Sequence, residues 1–166
     1  MKKIGLLSDT HGYLFPRIRI LLKDCDEIWH AGDIGNLVVI NMLSEISEVR
    51  AVFGNIDGQD VHASFPEVQS FQCEEVKVLM IHIGGYPGRY DKRALELIKK
   101  EKPMLFISGH SHILKVLYDP VYNLLHINPG AAGKYGLHKV PTLVRFEIDG
   151  KEIKNLEVIE LDRTDH

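Results

Sequence analysis

The chain has 166 residues, 45% of them hydrophobic and 26% charged, which fits one globular domain over residues 1–166 with a buried core. Its formal net charge of -3, with both signs scattered along the chain, disfavours a long nucleic acid or an anionic membrane as partner. Cys25 and Cys73 lie far apart outside any C-x-x-C spacing, and no segment has signal-peptide or membrane-spanning character, so a reducing, cytoplasmic location is expected, without disulfides or a thiolate zinc site.

Apolar runs at residues 3–7, 27–30 and 48–53 read as strands and the stretches 15–23 and 36–44 as helices, which predicts a βαβαβ half. Residues 68–73 and 76–81 are close enough to pair as a hairpin. A helix is expected over 89–100, ending before Pro103, and a buried strand over 104–108. Strands at 114–118, 122–127, 142–148 and 153–161, with turns at Asp119-Pro120 and Asp149-Gly150, predict a β-meander for the tail. Strands in both halves with helices outside them imply two sheets packed face to face.

The nine histidines stand out, because imidazole is the commonest metal ligand and the readiest proton carrier near neutral pH. Residues of metal-binding type follow the apolar strands, at the carboxyl ends where an α/β sheet presents its loops to ligands. The first strand leads into Ser8-Asp9-Thr10-His11-Gly12. In extended backbone the alternate residues Asp9 and His11 would point to one side and grip one cation, with Gly12 letting the chain turn away. His30-Ala31-Gly32-Asp33 follows the second strand, Gly54-Asn55-Ile56-Asp57-Gly58 the third, and Ile81-His82 the hairpin. Ser108-Gly109-His110-Ser111-His112 repeats the alternate-residue geometry. Asp9, His11, Asp33, Asn55, His82, His110 and His112 thus make seven donors, too many for one ion. Carboxylates, imidazoles and an amide oxygen without thiolate suit Mn²⁺, Fe²⁺, Zn²⁺, Co²⁺ or Ni²⁺ rather than Ca²⁺.

In this order the series D-x-H, G-D, G-N, H and G-H-x-H resembles the calcineurin-like metallophosphoesterase superfamily. Spacing and compact length are most similar to its small bacterial and archaeal phosphodiesterases, to which the retromer subunit vacuolar protein sorting 29 is also similar. Ile127-Asn128-Pro129-Gly130 adds to the likeness, which runs from Lys3 to about Phe146. The resemblance implies an α/β fold, a four-layer αββα sandwich of two mixed sheets packed face to face with helices outside and metals at one edge. It also implies that Asp9, His11 and His112 hold a first metal, Asn55, His82 and His110 a second, and that Asp33 bridges both. Asp33, Asn55 and His82 are in addition expected to serve catalysis. The cofactor expected is a pair of divalent transition-metal ions, manganese preferred, with iron, zinc, nickel or cobalt as alternatives. Two such cations about 3.5–4 Å apart lower the pKa of a bridging water, neutralise phosphate and stabilise the attacking and leaving oxygens, so in-line hydroxide attack is the expected reaction.

Two departures from the family pattern bear on the chemistry. Many relatives have Gly-Asn-His at the third motif, a histidine that serves the leaving oxygen and is held by the following carboxylate. This chain has Ile56 there, as the small phosphodiesterase group also commonly lacks that histidine, so no obvious general acid remains and Asp57 loses its usual partner. Relatives often show His-Gly-His where this chain has His82-Ile83-Gly84; Arg89 or Tyr90, in the turn-rich segment beyond, is a candidate substitute for contacting phosphate.

Taken singly, Asp9 or Asp33 after a strand is an ordinary turn or N-cap residue; seven donors in family order reverse that reading. His30, in an apolar strand, is expected to be a hydrogen-bonded core residue, and His62, His126 and His138 to have surface or turn roles. Gly130-Ala131-Ala132-Gly133 is expected to pass tightly over a sheet rather than cradle a phosphate, and Trp29 to sit in the core.

The function expected is a dinuclear metal-dependent phosphodiesterase acting on a small phosphodiester or nucleotide-like substrate. A phosphomonoesterase or nucleotidase is the alternative within hydrolases, and a metal-binding protein-interaction scaffold the alternative outside them. Retention of every primary ligand favours catalysis. A homo-oligomer stays open.

Overall fold

A computed structural model describes residues 1–164. The first half runs β1 (Lys2–Leu7), α1 (Arg17–Leu21), β2 (Glu27–His30), α2 (Leu37–Ser44), β3 (Glu48–Ala51) and a short α3 (Gln59–Ser64). A hairpin of β4 (Val68–Cys73) and β5 (Val76–Ile81) follows, then the small pair β6 (Gly85–Tyr86) and β7 (Arg89–Tyr90), helix α4 (Lys92–Glu101) and β8 (Leu105–Ile107). The last strands are β9 (Lys115–Asp119), β10 (Leu124–Asn128), β11 (Thr142–Asp149) and β12 (Glu152–Glu160).

Two five-stranded sheets result, ordered β12-β11-β1-β2-β3 and β4-β5-β8-β10-β9. Both are mixed: β1, β2 and β3 run parallel with β11 antiparallel to β1, while β5, β8 and β10 run parallel with β4 and β9 antiparallel at the edges. Strand alternation sorts the apolar residues between two cores. Ile4 and Leu6 of β1 face inward with Trp29, Val78, Met80, Ile107, Val144 and Phe146. Leu7 and Ile28 point the other way, onto Ile18, Leu22, Val39 and Leu43 of the first helical layer. On the far side Leu79 and Phe106 meet Ala94 and Ile98 of α4. The result is a four-layer αββα sandwich whose fully buried Leu, Ile and Phe side chains each contribute roughly 1.5–3 kcal/mol.

Register decides where the loops emerge. Leu7 pairs with His30 and His30 with Ala51, so the first three parallel strands end at one edge. In the second sheet Met80 pairs with Ile107 and Ile107 with Ile127, bringing the chain after β5, β8 and β10 out together.

Several sequence expectations need correction. The helix expected from residue 89 begins at Lys92, because Arg89–Tyr90 pairs with Gly85–Tyr86 and the Asp91 carboxylate caps the helix by accepting from the Arg93 and Ala94 amides at 3.1 and 3.3 Å. The tail is not one meander: β9 and β10 pair in the second sheet, β11 and β12 in the first, and the chain between residues 128 and 142 crosses from one sheet to the other. The six-residue α3 and the β6–β7 pair have no counterpart in the sequence reading, each being too short to show a period.

Candidate metal centre

The loops after β1, β2, β3, β5 and β8 bring all seven donors to the shared edge. Asp9, His11 and His112 form one group of ligand atoms, each within 4.8 Å of the others, and Asp33, His82 and His110 form a second. Asn55 joins the second, its Oδ1 lying 3.0 Å from His82 Nε2 and 3.0 Å from His110 Nδ1. Asp33 Oδ2 is 3.5 Å from His11 Nε2 and 3.2 Å from His82 Nε2, so a single oxygen faces both groups.

The backbone geometry departs from the sequence expectation. Asp9, His11, Asp33, His110 and His112 are not extended; all have positive φ, from 47° to 70°. Residues other than glycine seldom adopt this left-handed region, Asp and His less seldom than most, and such strain concentrates at functional sites. The loops are held there by their neighbours. The Asp9, His11 and Gly12 amides donate to the Gly32, Asp33 and Ile34 carbonyls at 2.9, 3.0 and 2.8 Å, locking the first loop onto the second.

Close approach is purchased with glycine at two points. A Cβ at Gly54 would come within 2.1 Å of Asp33 Oδ1, and one at Gly109 within 2.2 Å of Ser8 Oγ and 2.9 Å of Asp9 Oδ2. The same contacts aim the carboxylates. Asp33 Oδ1 accepts from the Ile56 amide at 3.1 Å, which turns Oδ2 toward the histidines. Asp9 Oδ2 accepts from Ser8 Oγ at 2.6 Å and the His110 amide at 3.2 Å, which leaves Oδ1 toward His112 Nε2 at 3.3 Å.

Donor chemistry then tests whether these residues suit a cation. Asp9 Oδ1 and His11 Nε2 are buried without a hydrogen-bond partner among the described residues. His82 donates from Nδ1 to the Ala31 carbonyl at 2.7 Å, so its Nε2 lone pair faces the oxygens of Asp33 and Asn55. Acceptors converging on acceptors require a proton or a metal between them. Burial pushes the Asp9 carboxyl up, but the facing imidazoles of His11, His112 and His82, with Ser8, outweigh it and hold the group below the usual carboxylate range. Asp9 raises the His11 imidazole against burial, with Asp33 adding to it. For His82 burial opposes the charge most strongly, yet Asp33 and Asp9 together push it above its ordinary value. Both ligand groups therefore fit divalent cations, with hard carboxylate and borderline imidazole donors and no thiolate.

Residues outside the seven also gain definite places. His30 is buried, accepts at Nδ1 from the Gly32 amide at 3.1 Å and bonds Thr10 Oγ1 through Nε2 at 2.9 Å. Asp57, without its customary histidine, accepts from the Ile34, Gly35 and Gly54 amides at 3.2, 2.8 and 2.8 Å and clamps the second loop to the third. Gly130 to Gly133 pass over the sheet with the Ala132 and Gly133 amides spent on the Ser8 and Asp9 carbonyls. Tyr90 is engaged with Asp119 at 2.7 Å, while Arg89 is exposed and enters no ion pair among the described residues. His62 is a surface residue stacked on Phe53. Trp29 is fully buried.

His126 and His138 correct the expectation of surface or turn roles. His126 is fully buried and donates from Nδ1 to the Phe106 carbonyl at 3.1 Å. His138 is buried beside the first ligand group. Its Nε2 donates to the Gly133 carbonyl at 2.8 Å, so its Nδ1 accepts from His112 Nδ1 at 3.3 Å and turns the His112 Nε2 lone pair toward Asp9. Only its place after the glycine-rich stretch Gly130 to Gly133 hinted at this in the sequence. His138→Ala should weaken metal binding at the Asp9 group about 10–100-fold and spare the Asp33 group. Competitive metal titration checks this; equal weakening of both groups, or of neither, would contradict the orienting role.

The model of the calcineurin-like phosphoesterase superfamily domain matches residues 1–151. A probable metallophosphoesterase of Methanocaldococcus jannaschii is 31% identical over 77% of this chain and 67% of its own length. An archaeal phosphodiesterase of known structure superposes with a TM-score of 0.75 at 27% identity, covering 96% of this chain and 99% of that one. Vps29 of Entamoeba histolytica, solved with zinc, reaches a TM-score of 0.75 over 98% of this chain and 99% of its own, and at 18% identity the likeness is one of fold. With the family model spanning nearly the whole chain, this protein belongs to the calcineurin-like phosphoesterase superfamily.

Proposed function

We propose that this chain is a phosphodiesterase that works with two divalent cations, manganese the preferred pair, on a small phosphodiester or nucleotide-like substrate. The observation that carries the reading is Asp33 Oδ2, which faces His11 of one ligand group and His82 of the other from 3.5 and 3.2 Å. In this reading Asp33 bridges, Asp9, His11 and His112 complete one site, and Asn55, His82 and His110 complete the second. When bound, the cations supply a water of lowered pKa and neutralise the charge of the phosphate.

The protein's own part is orientation. Asp57 and the Ile56 amide fix the loop that aims Asp33, His82 is locked by Ala31, and His112 by His138. Ile56 is 47% exposed, and its side chain has no proton to give. Diesters with good leaving groups are therefore the favoured substrates, because these need no general acid. Burial pushes both the Cys25 and Cys73 thiols up to about 11, so they remain protonated thiols near neutral pH and stay outside the ligand set.

Rates on bis(4-nitrophenyl) phosphate and on alkyl monoesters, at matched metal and pH, test this reading. Activated diesters should be cut faster, and Ile56→His should narrow the gap if its imidazole is held in place, since a placed general acid contributes about 10²–10⁴-fold. A wild-type protein that hydrolyses unactivated monoesters faster than activated diesters would refute it.

A further inference from the structure

Two cavities lie against the second ligand group, and Ile83 borders both. The first, of about 270 Å³, is bordered by Ile83, Tyr86, Arg89, His110, Ile113 and Lys115 among others. The second, of about 300 Å³, is bordered by Phe53, Asn55, His62, His82, Ile83 and Arg93 among others. Of their bordering residues the two share Ile83 and Asp91. His110 walls one cavity, Asn55 and His82 wall the other, and the Asn55 oxygen sits 3.0 Å from each of those histidines. An anion held at this ligand group therefore borders both cavities.

Both cavities offer apolar and planar walls. In the first, Lys115 Nζ lies 3.7 Å from the centre of the Tyr86 ring, and Ile113 stands 62% exposed at the rim. In the second, His62 stacks on Phe53 with ring centres 3.8 Å apart, while Arg93 and Glu67 satisfy each other as an ion pair. A phosphate monoester has one organic group and needs one such cavity. A diester has two. Sites for small organic ligands typically span roughly 300–1,000 Å³, so each cavity here suits one ring-sized group rather than a long chain.

We propose, building on the phosphodiesterase reading above, that the two cavities are paired subsites for the two organic halves of an acyclic phosphodiester, each half bearing a planar ring, with Ile83 as the ridge between them. The substrate class is thus a diester of two ring-bearing alcohols. Cyclic diesters and diesters with one small alkyl group leave a subsite unused.

Phosphinates test the pairing with no ester bond to cut. Dimethylphosphinate, methyl(phenyl)phosphinate and diphenylphosphinate present the same anionic head with no ring, one ring or two. Calorimetric titration of manganese-loaded protein should show affinity rising at each step, by about tenfold for each ring-sized apolar group buried. Ile113→Trp, at an exposed rim position, should fill the first cavity, and His62→Ala should remove the stacked wall of the second. Either change alone should lower diphenylphosphinate binding to the level of methyl(phenyl)phosphinate while sparing the latter, whose one ring can use the intact side. The double variant should bind all three alike. Equal wild-type affinity for one ring and two, or a diphenylphosphinate affinity untouched by both variants, would overturn the pairing. Stepwise binding without turnover of bis(4-nitrophenyl) phosphate would uphold the paired subsites and refute the phosphodiesterase reading instead.

Discussion

Replacing Asp33 by asparagine should lower turnover of an activated diester by on the order of 10³-fold, the equivalent of several kcal/mol of lost charge stabilisation. The side chain keeps its size, and its oxygen can still accept from the Ile56 amide, so the fold should persist. What disappears is the negative charge that faces His11 at 3.5 Å and His82 at 3.2 Å. Metal analysis of the same variant should show weaker binding in both groups. His11→Ala and His82→Ala should each first weaken one group, because each imidazole serves one side. Loss of a single ion in all three variants would contradict the bridging place given to Asp33.

Acid should destabilise the metal-free protein through two histidines that take no part in the ligand set. Burial holds His30 down to about 4 from an ordinary value of 6.5, and His126 is likewise pushed down to about 4. Between those values the unfolded chain binds protons that the folded chain does not. Stability therefore falls as pH drops from about 6.5 toward about 4, by about 3 kcal/mol for each histidine, and is unaffected by them above that range. His11 and His82 act in the opposite sense, since their folded values are raised: their contribution is complete below the unfolded value and fades as pH rises through the folded one. Pairwise comparison separates the two effects. Urea unfolding of wild type, His30→Gln and His126→Gln at pH 7.5 and 4.5 should show each variant's deficit shrinking at the lower pH by up to about 3 kcal/mol. A deficit independent of pH would mean that these imidazoles are not held neutral by burial.

The layers were legible because burial on two faces leaves a period in the sequence. Ile4 and Leu6 alternate with Gly5 and Leu7; the first pair meets one core and Leu7 the other. Alternation does not say which sheet a strand joins, so 142–148 and 153–161 were readable as strands while their separation from β9 and β10 was not. The convergence of these seven side chains was legible for a different reason: each follows an apolar strand, and parallel register brings strand ends to one edge. Their local geometry was hidden. Alternate spacing suggested extended backbone, whereas Asp9, His11, His110 and His112 take positive φ under hydrogen bonds and packing from loops distant in sequence. The contact of His138 with His112 was not legible, because it depends on the crossing between sheets, which carries no periodic signal. The twin cavities depend on side chains from five separate segments and leave no local mark at all.

Joint action of two cations on a diester is checked by following bis(4-nitrophenyl) phosphate turnover while manganese is added to metal-free protein in measured equivalents. Turnover should stay low through the first equivalent and rise to a plateau at about two per chain, as a two-metal centre requires. A plateau at one equivalent, or no turnover with two ions bound, would contradict it.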